Sequence, residues 1–145
     1  MMEFLLYLTP IGRDIYNLMS QKVRFLENPP ICRQKEIYGW YDASKDTMSI
    51  CTDRILAGPS PKYYINETLF HEAVHAAQDC KAVNTPYWYV PFGISQSQMK
   101  LSERRRDDLE TSVRIHPNNR AIEHEAFWLE DKPEKVRYVV QKYCF

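Results

Sequence analysis

The chain has 145 residues, of which 44% are hydrophobic and 26% are charged, a composition typical of a globular domain and not of a disordered chain. Its 19 basic and 19 acidic side chains balance, so the chain lacks the excess positive charge with which nucleic-acid-binding proteins contact phosphates. The length predicts a single domain over residues 1–145, with one core and one active site. The balanced charge predicts that the chain has no nucleic-acid partner.

The chain contains four widely spaced cysteines, Cys32, Cys51, Cys80 and Cys144. No two of them form a C-x-x-C pair, so free thiols in a reducing compartment are expected, with two disulfides in one of three connectivities as the alternative. The apolar run Phe4–Leu8 is too short to span a membrane, and the acidic Glu3 stands where a signal peptide carries positive charge. These features predict a cytoplasmic protein without a membrane span.

The first half of the chain predicts one helix and a hairpin. Thr9 and Pro10 are typical of a helix start, and the apolar spacing after them predicts a helix over residues 10–27. Beyond a proline pair, aromatic and β-branched residues in Ile37–Tyr41 and Thr47–Cys51, separated by a turn, predict a β-hairpin.

The second half predicts mainly helices. Asn66 is expected to cap a helix over Glu67–Lys81, and the proline-interrupted segment 85–93 is expected to be a loop or short strand. The mixed charges of Ser97–Arg114 predict an exposed helix with a solvated face. A further helix is predicted over residues 120–130. Asp131 and Glu134 form a capping-box pattern that predicts a last helix, so the fold class is a helix-rich α+β domain with a small sheet.

The sequence His71-Glu72-Ala73-Val74-His75 is an H-E-x-x-H motif within the predicted helix 67–81. At about 100° per residue, two histidines four positions apart lie on the same helix face and can bind one metal ion. Glu72 lies beside them, in the position of a general base. Apolar residues fill the opposite face of the helix. The motif therefore predicts a catalytic zinc site (Zn2+) with His71 and His75 as ligands.

A catalytic zinc site of this type needs a third protein ligand. The candidates are Asp79, His116, Glu123, His124 and Glu125. A metzincin would carry Gly at position 78 and His at position 81, whereas this chain has Gln78 and Lys81, so that class is excluded.

Helical phase selects among the remaining candidates. On the predicted helix 120–130, Ile122, Ala126 and Leu129 form the buried stripe, and Glu125 falls at its edge while its two preceding neighbours point away. A buried carboxylate has to be paired or bound to a metal. Glu125 is therefore the predicted third ligand, with a structural salt bridge as the alternative.

Two segments, Ser49–Cys51 and Glu67–Lys81, resemble the family of the mitochondrial inner-membrane metalloprotease that processes an ATP synthase subunit. In that family a strand ending in Cys precedes a zinc helix that continues into an Asp-x-Cys-like stretch. The corresponding positions here are Cys51, His71, Glu72, His75 and Cys80. Glu123–Phe127 is similar to the Glu-x-Glu-Ala helix of gluzincin-like proteins. The resemblance implies zinc peptidase activity.

The prediction is a zinc-dependent metallopeptidase acting on a peptide or protein substrate, in which Glu72 takes a proton from the attacking water and gives it to the leaving amine. Four residues have the right type to stabilise the oxyanion: His116, His124, Arg120 and Tyr87. The aromatic hairpin could accept an extended peptide by strand addition or could simply pack. The alternatives are a zinc hydrolase with a non-peptide substrate and an inactive domain that binds a partner.

Overall fold

The computed structural model describes all of residues 1–145. The α helices, in chain order, are α1 (Pro10–Met19), α2 (Ile31–Gln34), α3 (Thr52–Leu56), α4 (Pro61–Lys81), α5 (Glu103–Ile115), α6 (Arg120–Leu129) and α7 (Pro133–Cys144). The strands are β1 (Arg24–Glu27), β2 (Gly39–Asp42) and β3 (Thr47–Ile50), and two 3-10 helices cover Glu3–Tyr7 and Pro117–Asn119. The prediction of a helix-rich α+β fold with a small sheet is confirmed.

The first α helix begins as predicted but ends early. The Thr9 hydroxyl accepts a hydrogen bond from the Gly12 backbone N–H at 3.1 Å and so caps α1. The helix ends at Met19, and the segment Arg24–Glu27 forms strand β1. The prediction of a helix reaching residue 27 was wrong because pairing of β1 with β3 outweighs a weak helical spacing in that segment.

The three strands form one sheet in the order β1-β3-β2. β2 and β3 are antiparallel, which confirms the predicted hairpin, and β1 runs parallel to β3 on its other side. All four residues of β3 are buried. Because β2 comes last in the strand order, it is an edge strand, and one side of its backbone is unpaired.

Helix α4 is the centre of the fold and packs against α1, α6, α7 and the sheet. It begins at Pro61, so the predicted start at Glu67 with Asn66 as the cap was wrong. The Asn66 side chain, 5% exposed, accepts from the Thr9 N–H at 3.0 Å and donates to the Tyr7 carbonyl at 3.0 Å. A side chain suited to capping here binds the backbone of the segment before α1.

The apolar side of α4 is buried, as predicted. Its residues in the main hydrophobic core are Ile65, Leu69, Phe70, Ala73, Val74, Ala76 and Ala77. They share this core with side chains from α1, the sheet, α6 and α7. Because the core holds this side of α4 in place, the opposite side can present polar groups to a cleft at a fixed depth.

The charged segments of the second half differ from their predicted roles. Arg105 on α5 is only 9% exposed, so the prediction of a solvated face was wrong at this residue. Helix α7 begins at Pro133 without a side-chain cap, so the predicted capping box of Asp131 and Glu134 does not form. The Asp131 carboxylate instead lies 2.8 Å from Lys132 Nζ and 3.5 Å from the Arg105 guanidinium.

All four cysteines are paired, Cys32 with Cys51 and Cys80 with Cys144. The expectation of four free thiols was wrong, and the alternative of two disulfides holds. Spacing along the chain could not decide between them because each bridge joins residues that only the fold brings together.

None of the helices combines the length and the apolar character needed to cross a membrane.

Candidate metal centre

Two helices bring three potential metal ligands to one point. His71 and His75 come from α4, one turn apart as the motif predicted, and Glu123 comes from α6. One ligating atom of each residue lies within 4.8 Å of the others, and His75 Nε2 is 2.6 Å from Glu123 Oε1. Two imidazoles and a carboxylate are a donor set that zinc accepts in catalytic sites.

The structure places Glu123, and not Glu125, against the histidines. Glu125 is buried, at 1% exposure, as the sequence indicated. Its carboxylate, however, accepts hydrogen bonds from the backbone N–H groups of Phe92, Gly93 and Ile94 at 2.9, 3.1 and 3.3 Å. The prediction of Glu125 as the third ligand is corrected because loop N–H groups satisfy this buried carboxylate.

The other third-ligand candidates lie elsewhere. His124 Nε2 is 2.8 Å from the Met99 carbonyl, and the Asp79 carboxylate accepts a hydrogen bond from the Tyr41 hydroxyl at 2.5 Å. His116 lines the same cleft as the two histidines but is not among the three converging residues. Glu123 was predicted to project away from the buried stripe of α6 and so not to face the zinc helix, and that prediction was wrong. Its side chain is 15% exposed and meets His75 at the margin of the core, where α6 packs on α4.

Each histidine of the centre has a partner at its second ring nitrogen. His71 Nδ1 lies 2.8 Å from Glu130 Oε1, and His75 Nδ1 lies 2.8 Å from Gln78 Oε1. Both contacts leave Nε2 available to a metal, as outer-shell partners of metal-binding histidines do. The Ser112 hydroxyl donates a hydrogen bond to Glu123 Oε2, so the orientation of the third candidate metal ligand is also fixed by a neighbour.

An ion network that is buried at Arg105 and Glu130 lies behind His71. Glu130 Oε2 accepts from Arg105 Nε at 2.9 Å, and the same guanidinium lies 2.6 Å from Glu67 Oε2. Arg104 binds Glu67 through both of its terminal nitrogens. No motif in the sequence predicts this network. Its only signal was the run of charges on α5, which also fits a solvated helix.

The charges around the centre favour a cation. Burial alone would lower the pKa of His71, but the hydrogen bond with Glu130 and the charge of Glu72 raise that pKa to about 10. Burial likewise opposes the charge of Glu123, but the neighbouring His75 holds the pKa of this carboxyl well below its usual range. Without a metal, protons on the imidazoles would balance these carboxylates. A metal ion that displaces these protons would be stabilised by the same negatively charged carboxylates.

Glu72, the predicted general base, lines the same cleft as the three donors. It lies at 8% exposure in the cleft, outside the set of three converging donors. Burial raises the pKa of its carboxyl. Strand β2 passes close to it, since a Cβ atom on Gly39 would lie 3.2 Å from Glu72 Cγ and 2.5 Å from Thr68 Cγ2. A glycine at position 39 thus lets the sheet edge approach the base.

The donors open into a cleft of about 810 Å³. Its walls are the segment Lys35–Tyr41, which ends in β2, and one face of α5, and its floor is formed by α4 and α6. Of the four predicted oxyanion donors, only His116 lines this cleft. His124 contacts Met99, Arg120 pairs with Glu110 at 2.9 Å, and Tyr87 is 68% exposed outside the cleft.

Tyr89, which belongs to no motif in the sequence, also lines the cleft. Its ring centroid lies 5.8 Å from that of His75, and burial raises the pKa of its phenol, so the hydroxyl keeps its proton. The aromatic loop 85–93 was the only sequence signal for this residue.

Comparisons with curated proteins and with solved structures gave no match. A family model described as "Domain of unknown function (DUF8637)" matches residues 4–145. The description of this family names no activity, so the resemblance to the ATP-synthase-processing metalloprotease family stays a prediction. Because the family model covers nearly the whole chain, the protein belongs to the DUF8637 family.

Proposed function

We propose that this chain is a zinc-dependent hydrolase that cleaves peptide bonds. The observation that carries the proposal is the convergence of His71, His75 and Glu123 beside Glu72 in an open cleft. Two nitrogen donors and one oxygen donor leave a fourth position for a reacting molecule, which distinguishes catalytic from structural zinc sites.

In the proposed reaction, proton transfer and oxyanion stabilisation are assigned to different side chains. When bound, zinc would supply a Lewis acid that polarises a carbonyl and lowers the pKa of water. Glu72 lies outside the donor set, so its carboxylate is free to take a proton from the attacking water and to deliver it to the leaving amine. His116 and Tyr89 line the cleft and are the side chains available to donate a hydrogen bond to the developing oxyanion.

Strand β2 supports a peptide as the substrate. The Cys51 N–H donates to the Tyr38 carbonyl at 2.8 Å, and paired positions alternate along an antiparallel ladder. The backbone groups of Gly39 and Tyr41 therefore face the free edge of the sheet. An extended peptide can pair with such an edge, and both residues line the cleft that contains Glu72. A substrate without a peptide backbone would make no use of this edge.

The two disulfides support an oxidising compartment for this activity. Disulfides persist in secreted and other oxidising environments and are rare in the cytosol. This replaces the cytoplasmic location that the scattered cysteines suggested.

The proposal is tested by metal content and by cleavage of a peptide library. Purified protein is expected to bind one zinc per chain, and Glu72→Gln is expected to keep zinc while losing cleavage, because the amide cannot accept a proton. Glu134→Gln, which changes an exposed glutamate of α7, is the matched control and should retain both properties. A wild-type chain without affinity for zinc would overturn the proposal. Zinc binding without cleavage of any peptide would favour a non-peptide substrate.

A further inference from the structure

We propose that Gln78 is a positioning residue that determines which ring nitrogen of His75 faces the metal centre, and that Glu125 acts through Gln78. The inference rests on the proposed zinc site. It assigns roles to two buried polar residues that are neither ligands nor parts of the reaction.

The orientation of the Gln78 side-chain amide is fixed by its neighbours. Gln78 has no exposed surface, and its Nε2 donates to the Ile122 carbonyl and to Glu125 Oε1, both at 3.0 Å. A carbonyl oxygen and a carboxylate oxygen only accept hydrogen bonds from such an amide. If the amide rotated by 180°, both of these hydrogen bonds would be lost and its oxygen would face two acceptors in a buried site. The nitrogen must therefore face Ile122 and Glu125.

This orientation determines the protonation of the His75 ring. The remaining atom of the amide, Oε1, lies 2.8 Å from His75 Nδ1 and can only accept. His75 Nδ1 must therefore carry the hydrogen. In the metal-free protein Nε2 also carries a proton, which it shares with Glu123 Oε1 at 2.6 Å, and this is the proton that a metal ion displaces. A neutral imidazole has one N–H, so once that proton is displaced the lone pair is on Nε2. Gln78 thus selects the tautomer of His75 that can bind a metal at this centre.

Glu125 is the anchor of this arrangement. Besides Gln78, its contacts are the N–H groups of Phe92, Gly93 and Ile94, so every neighbour donates to it. It therefore presents an acceptor to Gln78 and holds the amide in place. A line of hydrogen bonds leads from the backbone of the 92–94 loop through Glu125 and Gln78 to His75.

Two substitutions separate positioning from simple packing. Gln78→Met has a similar volume but offers no acceptor to His75 Nδ1–H, whereas Gln78→Glu keeps an acceptor there but places a second carboxyl against Glu125 and the Ile122 carbonyl. We expect Gln78→Met to weaken zinc binding about 10–100-fold, as loss of an outer-shell partner does, and Gln78→Glu to weaken it much less. In the metal-free protein, Gln78→Glu should be the less stable of the two.

The experiment measures zinc affinity by chelator competition and stability by urea unfolding of the metal-free protein, with Gln141→Met on the exposed side of α7 as the control. The order of the two Gln78 variants should reverse between the measurements. If Gln78 only filled space, the less stable variant would also bind zinc less tightly, and that result would overturn the inference.

A spectroscopic measurement keeps the inference testable if one variant fails to fold. In ¹⁵N-histidine-labelled protein loaded with ¹¹³Cd, His75 should show coupling of the metal to Nε2 and a slowly exchanging Nδ1–H, and Gln78→Met should speed that exchange. Cadmium coupled to Nδ1 of His75, or unchanged exchange in Gln78→Met, would overturn the positioning role. A wild-type chain that binds neither metal would overturn the proposed function itself, which distinguishes the two failures.

Discussion

The two histidines of the centre are held by chemically different partners. His71 is backed by the carboxylate of Glu130, which is itself bound to Arg105, whereas His75 is backed by the neutral amide of Gln78. Both contacts measure 2.8 Å, so geometry alone does not separate them. The difference lies in charge and in what each partner is attached to.

The difference suggests two ways of preparing a metal ligand. A carboxylate partner makes the imidazole more basic and thus a stronger ligand, but it has to be buried with a compensating cation. An amide partner adds no charge and sets only the orientation and tautomer of the ring. Loss of the charged partner of His71 should therefore lower the stability of the fold more than loss of the neutral partner of His75.

The largest effect is expected for Glu130→Ala. This change removes the partner of His71 and deprives the buried Arg105 of one of its carboxylates, and we expect the free energy of unfolding to fall by about 4 kcal/mol. Asp131→Ala, which removes an exposed contact to the same guanidinium at 3.5 Å, should cost less than about 1 kcal/mol. Urea unfolding of the metal-free variants measures both. Equal losses would mean that the charged partner of His71 contributes no more than a surface ion pair.

Glu125→Ala and Glu123→Ala should separate fold stability from metal binding. Glu125→Ala leaves the partly buried backbone N–H groups of the 92–94 loop without their acceptor and releases the Gln78 amide, so stability is expected to fall by about 3 kcal/mol. Zinc binding should weaken without being lost, because all three ligands remain. Glu123→Ala removes a ligand and should abolish tight zinc binding at a smaller cost to the metal-free protein. Chelator competition and urea unfolding test the pair. If Glu125→Ala abolished zinc binding and Glu123→Ala did not, the corrected ligand assignment would itself be wrong.

Gly39→Ala tests the cleft without touching the partner of either histidine. The added Cβ would lie 2.5 Å from Thr68 Cγ2, so β2 has to shift away from α4, at a cost of about 2 kcal/mol in stability. We expect zinc affinity to stay near that of the wild type while peptide cleavage falls. Gly58→Ala is the control, since its nearest neighbour is the Tyr38 hydroxyl at 3.1 Å, an atom on a side chain that can move. A loss of zinc affinity in Gly39→Ala would show that β2 also supports the ligands.

The smallest effect is expected for Ser112→Ala, which extends the comparison to the third ligand. The Ser112 hydroxyl is a neutral donor to Glu123, so its loss should cost about 1 kcal/mol in stability, together with a weaker affinity for zinc. Ser97→Ala, at an exposed position, should change neither property. An effect as large as that of Glu130→Ala would contradict the view that a neutral partner contributes less than a charged one.

Local patterns predicted those elements whose structure depends on neighbours along the chain. The hairpin of β2 and β3, the burial of the apolar side of α4 and the helix after residue 120 follow from such patterns and are confirmed. Strand β1 was missed because its identity depends on parallel pairing with β3, more than twenty residues away. The two disulfides were missed for the same reason, since their spacings of 19 and 64 residues leave no local signal.

The sequence by itself determined that His71 and His75 share one face with Glu72 beside them, because helical periodicity is a local property of the chain. It also determined that Glu125 is buried. Only the tertiary structure decided that Glu123 joins the histidines, because the packing of α6 on α4 selects which side of α6 meets the centre. The partners of the ligands were likewise decided by the fold. A buried carboxylate can be satisfied by a metal, a cation or backbone N–H groups, and the sequence does not indicate which of these lies nearby.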